Sequence, residues 1–287
     1  MGSETAALRR VALVDARAAL RGPEAIAAEW RALDWLAPPD FDRALAEQER
    51  FVAALAAQGV EVELLPPGDD VTLDALYPRD ASLVFAGGVV LCNMGKAARG
   101  GEPRAAGRAL AALGLPLLGA ITGGGRLEGG DTAWLDERTL AVGRGRRTNA
   151  EGIAQLRALL GAGGPEVLEV PLPDWRGPND VFHLMSVWSP VDRDLAVVYP
   201  PLLPRELRAA LAERAIRLVA VPAEEFDTLG CNVLALAPRR CLVLAGNPRT
   251  RRRLERAGAE VIVFSGVEIC VKGGGGPTCL TRPLVRH

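Results

Sequence analysis

Amphipathic segments alternate with short β-branched runs along this chain. In the amphipathic segments, apolar residues recur every three or four positions, the spacing of an α-helix that buries one face. Each ends near a glycine or another small residue, as helix C-termini commonly do. A short run rich in valine, leucine and isoleucine follows, which is typical of a buried strand. The helical part occurs five times, at residues 41–59, 103–114, 149–161, 204–214 and 248–258.

These five helix-then-strand units are spaced about 45 to 55 residues apart. Their strands are predicted at residues 60–65, 115–118, 167–170, 216–221 and 261–264, with further short strands at 82–85, 89–91, 139–142, 195–198 and 241–244. A repeat of this period favours a propeller or array, whereas alternating helices and strands are equally typical of a doubly wound α/β sheet. No low-complexity linker interrupts the chain, so we predict one α/β domain over residues 1–287.

Composition and charge limit the classes of partner. Apolar residues make up 49% of the chain and charged residues 24%, the balance of a soluble globular protein. The formal net charge of −1 favours neither nucleic acid nor an anionic membrane as a partner. No apolar run reaches the roughly 18 to 20 residues that span a bilayer, and residues 1–10 do not resemble a secretory signal. We therefore expect a soluble, cytoplasmic protein.

The five cysteines are odd in number and include no C-x-x-C pair, which argues against a disulfide framework or a structural zinc site. Cys279 differs from the others because it follows Gly273–Gly276, a loop that lets a ligand approach closely. No Gly-Lys-Ser/Thr follows, so a nucleotide phosphate loop is disfavoured. A cysteine beside such a loop can be an activated nucleophile, although this feature alone is more often structural.

Histidine is even scarcer than cysteine. His287 is the last residue, so His183 is the one histidine expected inside the fold. Its apolar neighbours predict a strand with a buried face, where a carboxylate could orient the ring. Taken alone, such a histidine is more often a satisfied core residue than a catalyst.

Carboxylates and arginines form further polar islands. Glu128 and Asp131 flank two glycines, which by themselves indicate a turn with two solvated acids, and the adjacent Arg79 and Asp80 indicate a local salt bridge. A thiol, an imidazole and a carboxylate together would form an activated nucleophile. An additional buried aspartate would suit a cationic substrate.

The order and spacing of these islands resemble dimethylargininases and arginine deiminases, within the guanidino-group-modifying (pentein) superfamily. The resemblance runs from about residue 11 to residue 284. It implies a five-bladed α/β propeller with pseudo-fivefold symmetry, in agreement with the five units counted above. It also implies a small guanidino substrate and no metal or organic cofactor. We expect a monomer or homodimer.

The resemblance assigns catalytic roles to three residues. Cys279, in Gly-Gly-Gly-Gly-Pro-Thr-Cys, matches the nucleophile, and His183, in Phe-His-Leu, matches the general acid/base. Glu128, in Leu-Glu-Gly-Gly-Asp, matches the carboxylate that orients this histidine and holds a guanidinium nitrogen. The implied reaction is attack of the thiolate on the guanidinium carbon, a covalent thiouronium intermediate, and hydrolysis to citrulline.

Four more residues match substrate-binding positions. Asp80 matches the carboxylate that pairs with the guanidinium, and Asp74 matches a contact to the substrate's amino end. Arg99, before Gly-Gly-Glu, and Arg147, in Arg-Thr-Asn-Ala-Glu-Gly, match the arginines that bind the α-carboxylate.

Departures from both the dimethylargininase and the deiminase pattern leave the leaving group open among ammonia, methylamine and dimethylamine. Dimethylargininases usually carry Glu-Asp where this chain has Arg79-Asp80, and Arg-Asp is the deiminase pattern. The deiminase cysteine usually follows a histidine, which here is Thr278, and the chain is shorter than typical deiminases. We hypothesise a dimethylargininase. The alternatives are a deiminase-like hydrolase, an amidinotransferase of the same fold and a non-catalytic arginine-binding protein.

The segment from Ala16 to Pro39 has no periodicity that matches its neighbours. We predict that part of it forms a mobile lid over the site, because a desolvated guanidinium reaction needs a cover. An ordinary surface loop with a short helix is the equal alternative.

Overall fold

The computed structural model describes residues 2–177 and 182–287. Its helices within these residues are α1 Ala16–Leu20, α2 Pro23–Glu29, α3 Phe41–Ala56, α4 Glu102–Ala112, α5 Ala150–Leu160, α6 Arg205–Glu213 and α7 Pro248–Arg256. The strands are β1 Leu8–Val14, β2 Glu61–Leu65, β3 Ser82–Phe85, β4 Gly88–Leu91, β5 Leu117–Ala120, β6 Thr132–Trp134, β7 Thr139–Arg144, β8 Glu166–Pro171, β9 Trp188–Asp192, β10 Leu195–Val198, β11 Arg217–Ala220, β12 Leu234–Ala237, β13 Arg240–Leu244, β14 Glu260–Phe264 and β15 Arg282–Arg286.

These strands form five three-stranded sheets, ordered β15-β1-β2, β3-β4-β5, β6-β7-β8, β9-β10-β11 and β12-β13-β14. In every sheet the first strand pairs antiparallel with the second, and the second pairs parallel with the third. A parallel pair needs a crossover connection, and helices α3 to α7 lie in these five crossovers. The fold is therefore mixed α/β, and a single doubly wound sheet is wrong for this chain.

The five predicted helix-then-strand units are confirmed as α3–β2, α4–β5, α5–β8, α6–β11 and α7–β14. The glycines that mark the helix ends have positive φ angles: 75° at Gly59, 81° at Gly114, 67° at Gly161 and 88° at Gly258. Side chains with a Cβ avoid this left-handed region, which is why glycine is favoured there. After α6 the same position is Ala215, with a φ of 52°.

Sequence periodicity did not identify β1, β6, β9, β12 or β15. Strand β6 has three residues, and β9 contains Pro190, so neither carries a clear alternating pattern. Strands β1 and β15 lie near opposite ends of the sequence and pair with each other, with Val11 opposite Pro283. The N-terminal and C-terminal segments thus complete one sheet between them.

Apolar side chains fill the space between the helices and the sheets. Helix α3 turns Ala44, Phe51 and Leu55 inward, and Phe51 packs against Phe264 of β14 with ring centroids 4.8 Å apart. None of the described helices is long and apolar enough to cross a membrane.

Candidate active site

The predicted site residues lie on equivalent loops of different sheets. Asp80, Glu128, His183 and Cys279 lie on the loops that lead into the first strands β3, β6, β9 and β15. Lys96 and Arg99 follow the second strand β4, and Arg147 follows β7. Because first and second strands are antiparallel, the start of one lies beside the end of the other. Residues far apart in sequence are therefore brought to one edge of the fold.

These loops enclose a small cavity of about 20 Å³. Such a space holds about one water molecule. Six of the seven predicted site residues line it, and the seventh, Glu128, is fully buried behind His183. The lining residues are Leu33, Asp74, Tyr77, Asp80, Lys96, Arg99, Arg147, His183, Gly273, Gly275 and Cys279.

His183 and Glu128 form the central pair of the site. The ring Nε2 of His183 lies 2.7 Å from Glu128 Oε2. The backbone amides of Gly95 and Lys96 donate to Glu128 Oε1 at 2.8 and 3.2 Å, and Arg147 Nη1 donates to Oε2 at 3.2 Å. Four donors thus fix this carboxylate, and the carboxylate in turn fixes the imidazole.

The charges of this pair follow from burial and from the neighbouring groups. Burial lowers the pKa of His183, but the carboxylates of Asp80, Asp131 and Glu128 outweigh it and raise this pKa to about 9. Burial raises the pKa of Glu128, but His183 and Arg147 outweigh it, and the net shift is downward. At neutral pH the pair is an imidazolium and a carboxylate.

Asp80 lies near the Nδ1 edge of the His183 ring, with its Oδ1 4.0 Å from His183 Nδ1. Its Oδ1 accepts a hydrogen bond from the amide of Gly130 at 2.9 Å, and its Oδ2 accepts one from Arg99 Nη1 at 2.6 Å. A Cβ at Gly130 would lie 2.6 Å from the imidazole and 2.7 Å from Asp80, so this close approach requires glycine. Burial raises the pKa of Asp80, but His183 and Arg99 bring it below its usual value.

Arg99 is held mainly by other protein groups. Its Nε and Nη2 donate to the two oxygens of Glu102, both at 2.8 Å, and Nη2 also donates to the carbonyl of Tyr77 at 3.0 Å. Burial raises the pKa of Glu102 to about 7 although Arg99 opposes the shift. The geometry makes Arg99 the group that holds Asp80 in place, and its contact with a substrate carboxylate stays a prediction.

Cys279 is partly exposed, whereas the other four cysteines are buried. Its Sγ lies 3.5 Å from Asn232 Nδ2, and Asn232 Oδ1 accepts hydrogen bonds from the amide and hydroxyl of Thr278 at 2.9 and 3.0 Å. Burial raises the pKa of the Cys279 thiol, and the Asp80 carboxylate raises it further. Both effects favour the thiol over the thiolate of Cys279 in the empty cavity.

Residues 16–39, called the covering segment from here on, reach over the cavity. The indole Nε1 of Trp35 donates to Asp74 Oδ1 at 2.8 Å, and Leu33 lines the cavity. The amide of Leu36 donates to the carbonyl of Lys272 at 2.7 Å, which ties the segment to the glycine loop before Cys279. The segment contains α1 and α2, and it covers part of the site through Leu33 and Trp35.

Two expectations need correction. Arg79 does not form the expected local salt bridge with Asp80: the residue is 1% exposed, its Nη2 donates to Glu4 Oε1 at 2.8 Å, and Asp80 pairs with Arg99. Its identity therefore does not select the leaving group through contact. His183 is not in a strand but directly precedes the short 3₁₀ helix Leu184–Ser186, because Leu184 N donates to Asp131 instead of to a ladder partner.

Sequence reasoning missed Lys96, Asn232, Leu33 and Trp35 as parts of the site. Lys96 carried a usable signal, because it is one of only two lysines in a chain with 34 basic residues. Asn232 carried no such signal, because it lies on the loop before β12 and contacts Cys279, on the loop before β15, only in the folded chain.

Asp80, Glu128 and His183 place one possible ligand atom each within 4.8 Å of one another, a grouping that can hold a metal ion. Arg99 and Arg147 already compensate the two carboxylates, and the His183 ring is hydrogen-bonded to one of them. A carboxylate that lines a cavity beside a thiol, with a second carboxylate behind the imidazole, suits an organic cation better.

Comparison with known proteins assigns this chain to a family. The model of the family described as N,N dimethylarginine dimethylhydrolase, eukaryotic, matches residues 40–286. The chain belongs to the dimethylarginine dimethylaminohydrolase family. It is 30% identical over 250 residues to the N(G),N(G)-dimethylarginine dimethylaminohydrolase of Streptomyces coelicolor. The aligned residues cover 85% of this chain and 87% of that protein. This chain is thus a hydrolase of the class that acts on guanidino groups.

More distant matches were found among both sequences and solved structures. The arginine deiminase of Latilactobacillus sakei is 28% identical over 200 residues, which are 56% of this chain and 48% of that enzyme. The fold matches the Pseudomonas aeruginosa dimethylarginine dimethylaminohydrolase complexed with citrulline, with a TM-score of 0.76, 21% identity, and coverage of 98% and 100%. It also matches the amidinotransferase SxtG of Microseira wollei, with a TM-score of 0.79, 18% identity, and coverage of 100% and 97%.

Proposed function

We propose that the protein hydrolyses methylated arginine at its guanidinium carbon, giving citrulline and dimethylamine or methylamine. One observation carries the proposal: a thiol, an imidazolium and a carboxylate line one cavity, and a second carboxylate holds the imidazolium from behind. The lining groups are Cys279, His183 and Asp80, and the carboxylate behind His183 is Glu128.

A guanidinium is a planar cation whose N–H groups match carboxylates in pairs. A guanidinium held by Asp80 would present its carbon to Cys279 in the same cavity, and Glu128 would contact it once one of its present donors releases an oxygen. Fixing the plane of the cation beside the nucleophile lowers the entropic part of the barrier. The pair of carboxylates also replaces the water that the charged group loses on entering the site.

The bound substrate would generate the nucleophile. Burial and the nearby Asp80 keep the pKa of the Cys279 thiol high in the empty cavity. A guanidinium bound against Asp80 would neutralise that carboxylate and place a positive charge beside the sulfur. Both effects favour the thiolate, so deprotonation and substrate binding would reinforce each other.

Catalysis would then proceed in two balanced halves. The thiolate of Cys279 adds to the guanidinium carbon, the bond from that carbon to the methylated nitrogen breaks, and His183 gives its proton to the departing amine. The S-alkylthiouronium that remains is attacked by water, which loses a proton to His183. The new hydroxyl then gives its proton to the sulfur as the carbon–sulfur bond breaks, which releases citrulline and returns the Cys279 thiol and the protonated His183.

The far end of the cavity would bind the amino acid part of the substrate. Arg147 and Arg99 would face the α-carboxylate, and Asp74 would accept from the α-ammonium once its own partners release an oxygen. A cavity of about 20 Å³ has no room for an arginine, so the covering segment must open to admit it. We propose that this segment is a lid.

We also propose that the five sheets are the blades of a propeller with pseudo-fivefold symmetry. Their identical topology supports this arrangement, as do contacts between first strands of neighbouring sheets, namely β15 with β3, β6 with β9, and β9 with β12.

The function is tested by offering the purified protein arginine, monomethylarginine and asymmetric dimethylarginine, and measuring citrulline and the released amine. We expect preference for the methylated substrates and no turnover by Cys279→Ser. A strong preference for unsubstituted arginine would instead identify a deiminase. Transfer of the amidino group to added glycine or lysine, without citrulline, would identify an amidinotransferase.

A further inference from the structure

The cavity already contains an ammonium group. The Nζ of Lys96 donates to Asp74 Oδ2 at 2.7 Å and to the carbonyl of Leu33 at 2.7 Å. The other Asp74 oxygen is taken by Trp35 Nε1 at 2.8 Å. Within the described part of the chain, the carboxylate assigned to the amino end of a substrate is thus occupied by a lysine and a tryptophan.

The backbone of Lys96 cannot easily withdraw from this position. Its amide donates to Glu128 Oε1 at 3.2 Å, and the preceding Gly95 donates to the same oxygen at 2.8 Å. A Cβ on Gly95 would lie 2.7 Å from the Cα of Arg147, so the two backbones are in close contact. The Lys96 side chain is 16% exposed and its ion-pair partner Asp74 is 6% exposed.

An incoming α-ammonium would have to share Asp74 with Lys96 or displace it. Sharing places two positive charges a few ångströms apart in a closed cavity, where like charges repel strongly. Displacement breaks a largely buried ion pair and moves Lys96 past Leu33, whose carbonyl it also holds. Both routes penalise a substrate for carrying an ammonium at this end.

A ligand carboxylate at the same end of the cavity would be attracted instead of repelled. An ammonium group has three N–H donors, and Asp74 and Leu33 account for two of those of Lys96 among the described residues. The third can bind a ligand carboxylate, and Arg147 lines the same cavity. The cavity therefore attracts an anion at the end where it resists a cation.

We propose that Lys96 is a specificity-determining residue that makes the enzyme prefer ω-guanidino carboxylic acids without an α-amino group over the corresponding methylarginines. The proposal rests on the proposed function and narrows its substrate class. Methylarginines remain substrates, but they carry the penalty of competing with Lys96 for Asp74.

The test compares asymmetric dimethylarginine with 5-(N′,N′-dimethylguanidino)pentanoate, which has the same chain without the α-ammonium. Both release dimethylamine, so one assay gives kcat/KM for each. We expect the wild type to prefer the desamino compound by about tenfold or more. Lys96→Met should reduce this preference by about tenfold or more, mainly through a lower KM for dimethylarginine.

The second lysine provides a matched control. The Nζ of Lys272 also donates a hydrogen bond to the covering segment, to the carbonyl of Pro38 at 3.1 Å, but Lys272 does not line the cavity. Lys272→Met should leave the preference between the two substrates unchanged. Lys96→Arg keeps the charge and should keep the preference, which separates the effect of charge from a general loss of packing.

A wild-type preference for dimethylarginine, or an equal preference in the wild type and Lys96→Met, would overturn the proposal while the hydrolase assignment stands. Absence of dimethylamine from both substrates would count against the hydrolase assignment itself. In that case calorimetry on Cys279→Ser with arginine and 5-guanidinopentanoate still decides the role of Lys96. Tighter binding of 5-guanidinopentanoate supports the proposal, and tighter binding of arginine refutes it.

Discussion

Replacing Glu128 with glutamine would separate the charge of this residue from its shape. The carboxylate accepts from Gly95 and Lys96 on one oxygen and from His183 and Arg147 on the other. A glutamine has one acceptor oxygen and two N–H donors. If its oxygen keeps the two backbone amides, its NH₂ faces an imidazolium and a guanidinium. The protonated form of His183 then loses its closest partner.

The size of the effect follows from the type of bond that is lost. A hydrogen bond to a charged group contributes about 1.5 to 3 kcal/mol, and one pKa unit corresponds to about 1.4 kcal/mol. The pKa of His183, about 9 in the intact site, should therefore fall by about one to two units in Glu128→Gln. Asp80 and Asp131 remain and prevent a larger fall.

Nuclear magnetic resonance of the imidazole nitrogens measures this pKa directly. The chain has two histidines, so His287→Gln leaves His183 as the only histidine signal. Titration of this background with and without Glu128→Gln gives the two pKa values. A shift smaller than about half a unit would refute the reasoning, since it would mean that Glu128 is not the main partner of the imidazolium.

The same pKa predicts how stability depends on pH. The folded-state value of about 9 lies above the ordinary value of 6.5, so protonation of His183 stabilises the fold. This contribution is fully present below about pH 6.5 and is lost as pH rises through about 9. Urea unfolding at several pH values should show this loss in the wild type, and the loss should be smaller in Glu128→Gln. An equal loss in both proteins would assign the alkaline destabilisation to other groups.

Two further substitutions test the lid and the buried arginine. Trp35→Phe removes the hydrogen bond from the indole to Asp74, which contributes about 1 to 2 kcal/mol. Trypsin cleavage within the covering segment should therefore increase about tenfold. Unchanged cleavage, or no protection of the wild type by a bound substrate analogue, would contradict a lid. Glu4→Gln leaves Arg79 buried without its carboxylate and should cost about 3 kcal/mol in urea unfolding. The control Glu137→Gln, in an exposed ion pair, should cost less than about 1 kcal/mol, and equal losses would refute the role of burial.

Much of the fold could be predicted from the sequence because its signals are local. Helical periodicity and the glycines at the helix ends marked α3 to α7 to within a few residues. The undetected strands β6 and β9 are short or contain proline, and they become strands because a neighbouring strand supplies their hydrogen bonds. Such pairing is a property of the fold and leaves little trace in the segment itself.

The candidate site was only partly visible in the same way. Cys279 and His183 each had a structural interpretation that was the more common one for a single residue. The order of several motifs, and the family they resemble, favoured the catalytic interpretation. Trp35 was not singled out because no motif surrounds it, although it lies in the segment predicted to cover the site, and the rarity of lysine was the one signal for Lys96.

The sequence by itself determined the repeated units, the absence of a paired cysteine framework, and the set of polar residues from which a site could be built. Only the tertiary structure decided which of these side chains share a cavity. Arg79 and Asp80 are adjacent in the chain, yet Arg79 pairs with Glu4 while Asp80 faces His183. Neighbours in a turn point in different directions, and their partners come from loops of other sheets. The charge balance of the site, including the ammonium of Lys96, is therefore set by contacts between residues distant in sequence.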